Sequence, residues 1–99
     1  MKYPTHECPQ PLESRTIQTH YVTIGTLRLT TVLVQVIYTD FSYYSIGVHS
    51  ADSTQAEFRI ISDVSRDATE AMKLFRAVSA GEVTPCTLEY ILGDCIGAL

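Results

Sequence analysis

The last third of the chain places its apolar residues at helical spacing. Ala68, Ala71, Met72, Phe75, Val78 and Ser79 step by three and four and form one stripe, which Leu74 and Ala77 widen. Asp67-Ala68-Thr69-Glu70 stands at its head with the spacing of a capping box, in which Asp67 accepts from a free N–H and Glu70 reaches back toward the cap. Gly81 is expected to close this helix in the left-handed conformation that glycine adopts without penalty. A second stripe, Leu88, Ile91, Leu92, Cys95, Ile96 and Leu99, follows Thr84-Pro85, with Thr84 suited to the cap and Pro85 to the first helical position. So short a link predicts an antiparallel helical hairpin. Neither helix is long enough to stand alone, so both stripes need a surface to cover.

The preceding segment supplies one. From Ile17 to Ile61 the chain is rich in Val, Ile, Thr and Tyr, which suit a pleated sheet. Turn signals at Gly25-Thr26, Thr39-Asp40-Phe41-Ser42 and Ser50-Ala51-Asp52-Ser53 divide it into strands over 18–24, 27–38, 43–49 and 55–61. Short connections make neighbouring strands antiparallel. The expected architecture is α+β: a four-stranded antiparallel meander with a C-terminal helical hairpin packed on one face.

Alternation assigns the faces. Tyr44, Ile46 and Val48 point one way, and Tyr43, Ser45, Gly47 and His49 the other. Ala56, Phe58 and Ile60 alternate with Glu57, Arg59 and Ile61. The second strand is apolar on both faces: Leu27, Leu29, Leu33 and Ile37 on one, Val32, Val34, Val36 and Tyr38 on the other. Such a strand calls for cover on both sides, and one helical hairpin covers one. The sequence admits two explanations, a bulge near Thr30-Thr31 that swaps the faces or a second subunit on the open face.

With 99 residues and 45% hydrophobic content, the chain suits a single core and not two domains. Residues 16–99 are read as that domain. Met1 to Arg15, which carries prolines and no periodicity, is read as a flexible lead-in. No signal-peptide h-region is evident, and no stretch approaches the roughly 20 apolar residues of a membrane span. Three cysteines, an odd number, fit a reducing compartment better than a disulfide scaffold. The expected setting is cytoplasmic, with no membrane partner. A formal charge of −4, with basic residues that form no run, disfavours nucleic acid.

Three segments carry a resemblance. They are Tyr44-Ser45-Ile46-Gly47-Val48, then Ile61 to Asp67, then Gly81-Glu82-Val83-Thr84-Pro85-Cys86-Thr87-Leu88-Glu89-Tyr90-Ile91. Tyr44, Ile46 and Val48 match an aromatic-led strand. Val64, Ser65 and Asp67 match a helix entry, and Glu82, Val83, Pro85, Leu88 and Ile91 match the junction into the last helix. Asp94 matches an acidic position near the C-terminus. The pattern resembles a family of small uncharacterised proteins of clostridia-like bacteria, filed as a domain of unknown function. It covers roughly the last sixty residues, and the N-terminal half departs from it in being less charged. The resemblance implies the fold and the compartment, and no activity.

The candidate chemistry is sparse. His6 and Cys8 form an H-x-C pair, but zinc needs four convergent ligands, and Cys86 and Cys95 fall on opposite sides of a helix. No metal and no cofactor is expected. Cys95 lies in an apolar stripe, as a small hydrophobe does. Cys86, at a helix start, is the candidate reactive thiol, although His20 and His49 lie on strands with nothing placing them beside it. Asp63, Asp67 and Glu70 gather at a helix entry, where capping accounts for them. Arg59 is expected beside Tyr43 and His49 on the outer sheet face. Val32, Val34, Val36, Tyr38, Tyr43, His49 and Arg59 therefore form the candidate interface. The expected function is a non-enzymatic interaction module that forms a homodimer, or binds another protein, through its sheet. The competing expectation is a small-molecule-binding or enzymatic domain with a pocket between hairpin and sheet, and a concave site of convergent polar groups would distinguish it.

Overall fold

A computed structural model describes residues 10–97, with side chains described to residue 93. Four strands are followed by two helices: β1 (Glu13–Ile24), β2 (Leu27–Ile37), β3 (Ser42–Ala51), β4 (Ala56–Ser65), α1 (Ala68–Ala80) and α2 (Leu88–Gly97), the last entered through a 3-10 turn at Pro85–Thr87. The sheet runs in the order β1-β2-β3-β4 with every pairing antiparallel, so the expected meander and helices are present.

Three tight turns set the register. Gly25, at φ 63, occupies the first central position of the two-residue link that closes Ile24 onto Leu27, a conformation glycine takes freely. A four-residue link closes Ile37 onto Ser42, and another closes Ala51 onto Ala56. In the last of these, Asp52 Oδ1 accepts from the N–H groups of Thr54 and Gln55 at 2.8 and 2.9 Å. Those backbone bonds, with the Thr54 hydroxyl, hold the Asp52 carboxyl below its ordinary range. The turn is therefore reinforced above the ordinary carboxylate pKa and loosens as pH falls through the lowered value.

β1 starts at Glu13, within the stretch expected to be a lead-in, because Glu13 to Thr16 continue the ladder onto β2. Residues 1–9, including His6 and Cys8, lie outside the described residues.

The helices cover one face. Leu33, Ile46 and Val48 from the sheet meet Ala71, Leu74, Phe75 and Val78 from α1, Val83 from the link, and Leu88 and Leu92 from α2, all buried. Tyr44, Ile61, Val64, Met72 and Ile91 pack around them. Ala77, which the stripe was expected to include, is exposed. Cys95, Ile96 and Leu99 of the second stripe have side chains outside the described residues.

The helix ends differ from expectation in instructive ways. Asp67 caps α1 by accepting from Glu70 N at 2.7 Å. Glu70 does not reach the cap N–H itself. Asp67 N donates to Ser65 Oγ at 3.0 Å, and Ser65 Oγ donates to Glu70 at 2.7 Å, so a serine relays the capping box. Gly81 stays right-handed at φ −84, and the left-handed residue is Glu82 at φ 51. A Cβ on Gly81 would meet Ala77 O at 3.4 Å and Val83 at 3.5 Å, ordinary van der Waals contact, so packing does not demand glycine at this position. Thr84 makes no side-chain cap; its hydroxyl meets that of Thr87 at 3.1 Å, because Pro85 opens a 3-10 turn in which Thr87 N bonds Thr84 O.

Phe75→Ala should lower stability by about 3–5 kcal/mol, since it empties a buried ring site between α1 and the sheet. A denaturant melt showing a loss below about 1 kcal/mol would contradict that packing. Ser79 is buried with its Oγ unpartnered among the described residues. Ser79→Ala should therefore hold or raise stability, by up to about 1 kcal/mol, and a clear loss in the same melt would reveal a hydrogen bond the hydroxyl makes.

Candidate interaction surface

The face of the sheet opposite the helices is built by register. β2 pairs with β3 without a break from Arg28 to Ile37. The irregularities lie elsewhere, at Ile17 in β1 and between Ile61 and Ser65 in β4. A bulge near Thr30-Thr31, one of the two explanations the sequence admits, is therefore absent, and strict alternation carries through β2. Leu29, Thr31 and Leu33 are buried on the side of β2 that Leu33 turns to the helices, while Val32, Val34 and Val36 point the other way and are half-buried.

Cross-strand rows extend this open face. Thr19, Val32, Gly47 and Ile60 form one row, and Tyr21, Thr30, His49 and Phe58 the next. Toward the other end, Thr16, Val34 and Ser45 form a row, followed by Ser14, Val36 and Tyr43. Phe58 is 56% exposed, Ile60 42% and Tyr21 75%. The Phe58 ring lies over Gly47: a Cβ there would meet it at 3.1 Å and Val32 at 3.3 Å, so the missing side chain makes the seat for the ring.

An aromatic group closes the far end. Tyr38 stacks on Phe41 with centroids 4.7 Å apart and lies 5.8 Å from Tyr43. The Arg66 guanidinium sits 4.8 Å over the Phe41 ring and pairs with Asp63 at 3.3 Å. Asp63 itself takes φ 55 inside the β4 irregularity, and its N–H donates to Ser45 Oγ at 3.4 Å.

Six of the seven residues expected to share a surface are thus placed on or beside the open face: Val32, Val34, Val36, Tyr38, Tyr43 and His49. Arg59 is not. It stands opposite Val48, on the helix side, and its Nη1 donates to Glu89 of α2 at 2.7 Å. Phe58 and Ile60 take the place it was expected to fill. The signal for this was the length of the last hairpin link: four residues between Ala51 and Ala56 put even-numbered β4 residues on the same side as His49.

Cys86 is exposed on the 3-10 turn, with Thr84 Oγ1 at 3.5 Å. It lines a cleft of about 240 Å³ with Glu57, Phe58, Arg59 and Pro85, at the seam of β4 and the turn. His20 and His49 do not line that cleft. A cleft of about 300 Å³ on the open face is lined by Tyr21, Thr23, Arg28, Thr30, His49 and Ala51 with the backbone between them. Among the described residues, no three His, Cys, Asp or Glu gather as a metal site. No described helix is long and apolar enough to cross a membrane.

The described residues form a small α+β domain with helices on one face of its sheet and none on the other. The chain belongs to a family of unknown function, DUF6514, whose pattern matches residues 10–98. No curated protein and no solved structure matches it.

Iodoacetamide should modify Cys86 in the folded protein, and peptide mapping should find the adduct before any denaturant is added. Modification only after unfolding would place the thiol inside the structure.

Proposed function

We propose that this chain is a non-enzymatic interaction module that self-associates through the open face of its sheet. The observation that carries the reading is the unbroken register of β2, which leaves Val32, Val34 and Val36 outside the one helical layer among the described residues. With Phe58 and Ile60 beside them they make a contiguous apolar surface, and surfaces of this kind mark interfaces. A second copy is the partner that satisfies it with one patch, since a two-fold axis lets the same residues serve both chains. Sheets pack face to face about 10 Å apart with their side chains interdigitated, and a flat row of valines suits that spacing. The bacterial, cytoplasmic setting implied by the family resemblance, and partners that are proteins and not nucleic acid or membrane, belong to the same proposal.

Light scattering at high micromolar concentration tests it. The wild-type mass should be at least twice that of one chain. Val34→Lys should keep its circular dichroism and lose at least half of the wild-type mass, because Val34 faces Thr16 and Ser45 on the open side and not the core. A monomeric wild type would overturn the proposal, as would a folded Val34→Lys of unchanged mass.

A further inference from the structure

The two margins of the sheet are treated differently. β4 has an irregular stretch between Ile61 and Ser65, and the 3-10 turn and the Arg59–Glu89 ion pair lie against it. These are devices that keep a strand edge from pairing. β1, at the other margin, has no strand beyond it among the described residues and is exposed along almost its whole length of 12 residues. Its own irregularity, at Ile17, divides it. The charged pair Glu13–Arg15 lies on the N-terminal side. From Gln18 to Ile24 there is no Asp, Glu, Lys, Arg or Pro.

The hairpin turn says which backbone groups of this stretch are free. Ile24 and Leu27 flank a two-residue link and so exchange both of their ladder bonds. Alternation then directs Val22 and His20 at β2 and leaves the N–H and C=O of Thr19, Tyr21 and Thr23 pointing away from the sheet. None of the described backbone bonds outside the ladders involves these three residues.

We infer that this stretch pairs with the same stretch of a second copy, antiparallel about a two-fold axis at Tyr21. The sequence is self-complementary for that register. Thr19-x-Tyr21-x-Thr23 reads the same in both directions, so Tyr21 meets Tyr21 of the second copy and Thr19 meets its Thr23. Threonine–threonine and aromatic–aromatic pairs are favourable across antiparallel strands, and no like charges oppose each other. The three outward residues exchange their backbone bonds with the same three on the other chain. Two four-stranded sheets become one of eight, with the open faces side by side. The inference extends the self-association reading to a second surface and stands apart from it, since the edge contact uses backbone groups and not the valines. With both contacts, four chains assemble.

Light scattering and amide hydrogen exchange on the whole chain test it together. Thr23→Pro removes only an outward N–H and leaves the β2 ladder intact. Tyr21→Lys sets two like charges against each other at the axis. Both should keep wild-type circular dichroism and halve the wild-type mass. The amides of Thr19, Tyr21 and Thr23 should exchange slowly in the wild type and in Val34→Lys, and fast in Tyr21→Lys. If these amides exchange fast in the wild type, or if both edge variants keep its mass, the edge inference is overturned while the open-face reading survives. If the edge variants lose mass and slow exchange while Val34→Lys loses nothing, the edge stands and the open-face reading falls.

Discussion

The structure depends on one constraint: β2 alternates without interruption, and the described residues hold a single helical layer to set against it. Leu33 is buried by that layer, and Leu29 is buried on the same side of β2. Because the pleat has a period of two, burying them forces Val32, Val34 and Val36 to the other side. A bulge in β2 would have relieved the conflict by turning the valines inward. The irregularities occur in the outer strands instead, where they bend the margins and leave the central pairing intact. The apolar open face is thus a consequence of how the core is made.

Several local features serve the same arrangement. Gly47 is buried on the open side because Phe58 lies across it, so the face is continued by a ring where the backbone carries no side chain. At one end Tyr38 and Tyr43 gather about Phe41, and Arg66 lies over the Phe41 ring, which ties the β2–β3 link to the segment leaving β4. On the helix side, the Ser65–Glu70 bond and the Asp67 cap fix where α1 departs, and Val83 draws the following link into the core. Phe75 and Val83 share one buried cluster with Leu33, Ile46 and Val48, so removing the Phe75 ring would reach the sheet.

Much of this was legible in the residues. The four strands, the glycine turn at Gly25 and both apolar helix stripes follow from period and punctuation, because these depend on near neighbours in the chain. What escaped depends on tertiary context. Alternation in β4 defines two faces but not which one the helices reach, and only the parity set by the hairpin length puts Phe58 on the open side and Arg59 on the helix side. Gly81 looked like the left-handed residue on propensity alone, and the pull of Val83 into the core moved that conformation to Glu82. Thr84 looked like a cap, but a 3-10 turn needs its carbonyl rather than its side chain. The charge-free run from Gln18 to Ile24 is a local sign of the open β1 margin, whereas the turn and ion pair that blunt β4 depend on what packs beside it.

The central claim is that the β2 valines form a surface and not a core. Methyl NMR with a soluble nitroxide measures this directly, across a dilution series. The account predicts that the methyls of Leu33 and Ile46 stay shielded at every concentration, while those of Val32, Val34 and Val36 are shielded when concentrated and become strongly broadened on dilution. Valine methyls that remain as shielded as Leu33 at the lowest concentration would contradict it, as would valine methyls broadened equally throughout.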